Sequence, residues 1–169
     1  QKTSFVVACL MTSILAPAAR AAAGKILVGA ADVSITPSQP VALSGQRHTR
    51  IAHEVESPVT ATALVIETRD RNRVLDQAIM VSCDLVAIRD GIQQRFRKHV
   101  RSRLPDFQID KLFLNATHTH TAPVTRDGVY VIPKEGVIQP ARYVEFLMDR
   151  LADAVVRAWD NRKPAGVSW

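Results

Sequence analysis

The residues best suited to chemistry are two histidines, His118 and His120, in residues 115–123 (Asn-Ala-Thr-His-Thr-His-Thr-Ala-Pro). The preceding residues 111–114 (Lys-Leu-Phe-Leu) are typical of a short buried strand. If the backbone stays extended through the run, both imidazoles point to the same side, because strand side chains alternate between faces. Neutral imidazole is a common zinc ligand, so the pair predicts a metal site. Two exposed histidines without a metal are the alternative.

The elements that must position this pair form a strand-helix-strand unit over residues 78–117. The apolar run at 78–83 predicts a strand, and a second strand is expected at Leu112. Between them, residues 90–104 are predicted to be helical, with Asp90 as a capping residue. The helix prediction depends on four apolar residues that recur every four positions: Ile92, Phe96, Val100 and Leu104.

Asp84 directly follows the first strand of this unit, as His118 follows the second. A helical crossover makes the two strands parallel, so their carboxyl ends lie at the same edge of the sheet. We therefore expect Asp84, His118 and His120 to be neighbours. The carboxylate of Asp84 can either ligate a metal or orient an imidazole through a hydrogen bond.

The remaining patterns predict an α/β protein, a mixed sheet with helices packed on it. Strands are expected at residues 26–36 and 59–68, and the charged residues 69–73 indicate a hairpin turn before the strand at 78–83. Residues 38–58 are polar and contain two of the nine prolines, which favours a long loop. A last helix is predicted at 140–159. Its buried stripe is expected to contain Val144, Leu147, Leu151, Val155 and Ala158.

Other reactive side chains are weaker candidates. His48, His53 and His99 are expected at the surface, although the first two lie in the long loop and can line a site. Glu54 and Glu56 allow the same two interpretations. Cys83 lies in a predicted strand and is expected to be a small core residue. The chain has no Gly-x-Ser-x-Gly motif and no glycine-rich phosphate loop, so neither a serine hydrolase nor a nucleotide-binding protein is supported.

Composition is that of a globular domain, with 47% hydrophobic and 22% charged residues and a net charge of +6. A basic cluster at residues 95–103 lies on the predicted helix, opposite its apolar face. Without aromatic residues or a recognised motif it indicates a solvated face, and no nucleic-acid partner is expected. Residues 1–23 resemble a secretory signal peptide with cleavage near 21–23, which predicts a secreted or periplasmic protein. A membrane anchor is the alternative, but the apolar run is short for a span.

The histidine run is similar to Ala-Thr-His-Thr-His-Ser-Gly-Pro, a signature of the neutral/alkaline, non-lysosomal ceramidase family. Other segments resemble this family in the same order along the chain. These are residues 29–37 (its opening strand), 60–66 (its Ala-Arg-Ala strand), 81–84 (its Val-x-x-Asp) and 159–166 (the end of its next helix).

The resemblance implies a hydrolase in which a zinc-activated water cleaves the N-acyl amide bond of ceramide or a related lipid. It implies that His118 is a ligand of one Zn²⁺ ion and that His120 assists the reaction; Asp84 is predicted to be a further catalytic residue. The family's other ligands, a His, a Glu and a Tyr, lie further along its chain. Residues 24–169 would then be an incomplete, N-terminal portion of a larger catalytic domain, and this portion would be inactive alone.

The chain departs from the family pattern in three places. Residues 121–125 are Thr-Ala-Pro-Val-Thr instead of Ser-Gly-Pro-Gly-Gly, Glu56 replaces a histidine, and Thr62 replaces an arginine. The expected partner is a small lipid or N-acyl substrate, with contact to a membrane surface compatible with it. Two other functions stay open: a zinc hydrolase of the same scaffold acting on a different amide or ester, and a non-catalytic secreted binding protein.

Overall fold

The computed structural model describes residues 24–89, 91–166 and 168. The predicted signal peptide and the capping role of Asp90 therefore lie outside the described residues. The described elements follow in the order β1 (Lys25–Ser34), β2 (Val41–Leu43), β3 (Arg50–Ala52), β4 (Thr60–Asp70), β5 (Arg73–Cys83), α1 (Ile92–Val100), β6 (Leu112–Ala116), α2 (Pro140–Asp160) and β7 (Lys163–Ala165).

The main sheet is mixed, which confirms the predicted α/β class. Its strand order is β6-β5-β4-β1-β7. Neighbouring strands are antiparallel except β5 and β6, which run parallel, with Cys83 opposite Ala116 at their carboxyl ends. Helix α1 lies in the crossover between them. The predicted strand-helix-strand unit is thus present, and it brings the residues after Cys83 and Ala116 to one edge of the sheet.

The core lies between one face of this sheet and the two helices. Alternate strand residues such as Val33, Val65 and Val81 point to the helices and are fully buried or nearly so. All four predicted core positions of α1 and its extension, and all five of α2, are buried. The periodicities that predicted the helices therefore correspond to the faces that pack on the sheet.

The end of helix α2 lies against the backbone of β1 at Gly29. A Cβ added to Gly29 would collide with the carbonyl oxygen of Ala158 and would lie 3.1 Å from the backbone nitrogen of Arg162. The hydrogen atom of glycine is thus what allows the backbones of strand and helix to touch. This contact fixes how deeply α2 lies on the sheet.

The core contains two buried ionisable groups, the phenol of Tyr143 and the thiol of Cys83, that stay protonated at neutral pH. The hydroxyl of Tyr143 donates a 2.9 Å hydrogen bond to the carbonyl of Ile35, and burial raises the pKa of this phenol above its ordinary value. Burial, with the nearby charge of Asp84, raises the pKa of the Cys83 thiol to about 12. The thiol is therefore protonated at neutral pH, as expected for the predicted core residue.

The secondary structure differs from the sequence-based expectations in four places, the first of which is that β5 begins at Arg73 instead of residue 78. Residues 38–58 are not one long loop, because β2 and β3 pair as a short antiparallel hairpin within them. Strand β7 was not predicted. Helix α1 ends at Val100 and continues as a 3-10 turn at Arg101–Arg103, so the predicted helix over 90–104 is shorter and partly non-α. Within the described residues, no helix has the length and apolarity needed to cross a membrane.

Candidate active site

The backbone of the histidine run leaves the strand geometry directly after β6. Strand β6 ends at Ala116, and two hydrogen bonds attach the next residues to the end of β5 and the segment that follows it. Thr117 N donates to the carbonyl of Cys83 (2.9 Å) and His118 N donates to that of Leu85 (3.0 Å). His118 itself has a φ of 68°, in the left-handed region. The expectation of an extended backbone through the run is therefore wrong.

The two imidazoles nevertheless face each other. Their ring centroids are 5.0 Å apart with an interplanar angle of 73°, and the two Nε2 atoms are 3.4 Å apart. The left-handed turn at His118 changes the direction of the backbone. The two rings still lie on the same side, as they would on an extended strand. The prediction that the pair converges is thus correct, although the backbone geometry assumed for it is not.

The orientation of the His118 ring is fixed by a backbone group. Its Nδ1 lies 2.7 Å from the carbonyl oxygen of Val86. A carbonyl can only accept, so Nδ1 carries the proton in this contact, and the neutral ring then has its lone pair on Nε2. Histidines that bind metals usually have their second nitrogen held in this way. His118 therefore presents Nε2 as a preformed ligand atom.

Asp84 lies at the same sheet edge, but its carboxylate is hydrogen-bonded to threonines. Oδ2 accepts from the backbone N and the hydroxyl of Thr60, both at 2.9 Å, and Oδ1 accepts from the hydroxyl of Thr117 (3.2 Å). Asp84 thus connects the start of β4 to the residue before His118. The hydrogen bond that orients the His118 ring is accepted by the carbonyl of Val86 and not by the carboxylate of Asp84.

Removing this carboxylate is expected to destabilise the sheet edge. Hydrogen bonds to charged groups contribute about 1.5–3 kcal/mol, so Asp84→Ala should lower the free energy of unfolding by about 2 kcal/mol in urea denaturation. Asp32→Ala removes a carboxylate from the exposed side of β1 and is the matched control. Equal losses in the two variants would contradict the assigned bridging role of Asp84.

The histidine pair fits part of a zinc site. Two nitrogen ligands of one tetrahedral zinc, each at about 2.0–2.1 Å, are separated by about 3.3–3.4 Å. The observed 3.4 Å between the Nε2 atoms matches this separation, and His118 alone also fits as a single ligand. Within residues 24–89, 91–166 and 168, no group of three His, Cys, Asp or Glu side chains converges on a point suitable for a metal.

The other histidines take no part in this pair. His99 is exposed and lies 3.1 Å from a carboxylate oxygen of Asp149. His48 and His53 are also exposed. His53 lines a cleft of about 260 Å³ together with Glu54 and Glu56, and Thr121 reaches the same cleft. The surface location of these histidines agrees with the sequence-based expectation. The cleft is next to the histidine run, because Thr121, one of its lining residues, directly follows His120.

Sequence reasoning missed several residues that hold the pair in place. Val86 acts through its carbonyl oxygen, which no residue-type pattern reveals. Gly45 lies against the ring of His120, and the guanidinium of Arg50 donates a hydrogen bond to the carbonyl of His120. The only sequence signal available was that Gly45 and Arg50 belong to a polar loop of unusual length.

The architecture is that of a mixed α/β domain with a histidine pair at the carboxyl edge of its parallel strands. No protein-family model matches the sequence, and no curated protein matches it significantly. Among solved structures, the neutral ceramidase from Pseudomonas aeruginosa matches with a TM-score of 0.67 at 18% identity, over 83% of this chain and 22% of that chain. A structure of ceramidase complexed with C2 gives a TM-score of 0.64 at the same identity and coverage.

The chain therefore has a neutral ceramidase-like fold, which confirms the resemblance at the level of architecture. It spans about a fifth (22%) of the length of these ceramidase chains.

Proposed function

We propose that this chain is part of a zinc-dependent hydrolase that cleaves the N-acyl amide bond of ceramide or a related lipid. The observation that carries the proposal is the orientation of His118. Its Nδ1 is bound by the carbonyl of Val86, so Nε2 carries the lone pair that can bind zinc, and it lies 3.4 Å from Nε2 of His120. The pair occupies a sheet edge where ligands bind in α/β proteins, on a fold shared with ceramidase structures.

Each histidine has a separate role in this proposal. His118 Nε2 would hold the metal, together with ligands from outside the described residues. Zinc at this position would polarise the scissile carbonyl and lower the pKa of water. His120 Nε2 accepts a proton from the attacking water and delivers it to the leaving amine, as a general base and then a general acid. Asp84 acts indirectly, because its carboxylate holds the hydroxyl of Thr117, the residue before His118.

The location and partners follow from the same proposal. A leader at residues 1–23 would direct the protein out of the cytoplasm, to the periplasm or the exterior. The substrate is a small lipid or N-acyl compound, so the enzyme would work at or near a membrane surface. No nucleic-acid partner is proposed.

The proposal is tested with the full-length protein. We expect one zinc per molecule by elemental analysis, and hydrolysis of ceramide that a chelator abolishes and added zinc restores. Short N-acyl amides and esters are the comparison substrates. Faster turnover of these than of ceramide would favour a different substrate for the same chemistry. A protein with neither zinc nor hydrolytic activity would overturn the proposal in favour of a binding protein.

A further inference from the structure

The ring of His120 lies directly on the backbone of Gly45. A Cβ added at Gly45 would lie 2.5 Å from Cγ, 2.8 Å from Cβ and 2.9 Å from Cδ2 of His120, much closer than two carbon atoms can approach. Gly45 also has a φ of +97°, which strongly disfavours any residue with a side chain. The space that the ring of His120 occupies therefore exists because residue 45 has no side chain.

The loop that contains Gly45 is attached to a second loop by Tyr130. Gly45 N donates a 3.1 Å hydrogen bond to the hydroxyl oxygen of Tyr130, and this hydroxyl donates a 2.7 Å hydrogen bond to the carbonyl of Gln46. One phenol group thus satisfies two consecutive residues of the Gly45 loop. Removal of this hydroxyl would take away the partner of both Gly45 N and the carbonyl of Gln46.

The segment that follows His120 is attached to the same loop. Ser44 N donates to the carbonyl of Ala122 (2.8 Å), and Val124 N donates to that of Ala42 (2.9 Å). On the other side, the guanidinium of Arg50 donates to the carbonyl of His120 itself. The backbone of His120 and the surface beneath its ring are consequently fixed by the same hairpin, formed by β2, β3 and the loop between them.

We propose that Gly45 and Tyr130 are positioning residues for His120: they hold its imidazole in the observed orientation, with Nε2 facing His118 at 3.4 Å, from which it is to transfer the proton. The proposal rests on the proposed function, because it specifies how the proton-transferring group of that site is oriented. Neither residue contacts the substrate in this role. The ring of His118 is held by a different group, because its Nδ1 is bound by the carbonyl of Val86.

Two variants of the full-length protein test this role. Gly45→Ala introduces the Cβ that meets the ring, and Tyr130→Phe removes both hydroxyl contacts but keeps the aromatic ring. The matched controls are Gly136→Ala, where φ is also positive (+70°) but an added Cβ meets nothing within 4 Å, and Tyr143→Phe, which loses a buried hydroxyl that binds the carbonyl of Ile35 and not the Gly45 loop.

The first readout needs no substrate. In nitrogen-15 spectra of the imidazoles, we expect the His120 signals to shift or broaden in both variants, by more than those of the neighbouring His118, while the zinc content stays as in the wild type. The second readout is kinetic: kcat should fall by about 10- to 100-fold with KM nearly unchanged, because misplacing a reacting group by about 1 Å has an effect of this size. Neither control should show these changes.

The possible outcomes separate the two proposals. Unchanged His120 signals in Tyr130→Phe would overturn the positioning role, and so would a loss no different from that of Tyr143→Phe. If Gly45→Ala does not fold, Tyr130→Phe decides alone. If the wild-type protein hydrolyses none of the substrates, the proposed function fails, while the imidazole spectra still decide whether Gly45 and Tyr130 orient His120.

Discussion

Replacing His118 by alanine in the full-length protein is expected to remove the bound zinc and to lower kcat/KM by more than about 10³-fold. The physical reason is that Nε2 of His118 is the ligand atom whose ring is already oriented, by the 2.7 Å contact of Nδ1 with Val86. Without the metal, several kcal/mol of transition-state stabilisation are lost, and each 1.36 kcal/mol is a factor of ten in rate.

His120→Ala is expected to behave differently. It should retain the zinc but lower kcat by about 10²- to 10⁴-fold, the usual contribution of a general acid-base group. Elemental analysis and steady-state kinetics of the two variants measure this separation of roles. His99→Ala is the control, because this histidine is exposed and lies beside Asp149.

Two results would contradict these roles. Loss of zinc from both variants would mean that both imidazoles are ligands, which the 3.4 Å separation of their Nε2 atoms also permits. Retention of zinc and activity in His118→Ala would mean that the histidine pair is not the metal site.

The second large effect is expected in the core. Gly29→Ala should lower the free energy of unfolding by about 3 kcal/mol, at the upper end for overpacked positions, because the new methyl group meets backbone atoms that cannot move aside as a side chain does. Urea denaturation measures the loss. Gly166→Ala is the control, since an added Cβ there meets nothing within 4 Å. Equal stability of the two variants would mean that α2 lies further from β1 than the structure shows.

The general architecture could be predicted because it follows from periodic patterns. Apolar residues four apart, such as Phe96 and Val100, mark a helix that packs on one side, and a helix between two strands implies that the strands are parallel. The hairpin of β2 and β3 could not be predicted in this way. Its strands have three residues each, too few for an alternating pattern to stand out from a polar, proline-containing segment.

The site was predictable only where residue type carries the chemistry. His118 and His120 were identified by type and spacing, and Asp84 by its position after β5. The groups that orient them are a carbonyl at Val86 and a missing side chain at Gly45, neither of which has a sequence signature. Tyr130 could not be identified because it is 85 residues from Gly45 in the chain, and its contact depends on how two irregular loops meet.

The left-handed backbone conformation of His118 affects the stability of the fold. His118 and Arg71 are the non-glycine residues with positive φ among those that the structure describes. A side chain in this conformation costs about 1 kcal/mol in conformational energy, whereas glycine adopts it freely. Glycine at position 118 would remove this cost, but it would also remove the hydrogen bond from Nδ1 to the carbonyl of Val86, which contributes about 1 kcal/mol. The two contributions nearly cancel, so the strained backbone of His118 is offset by the same contact that orients its ring.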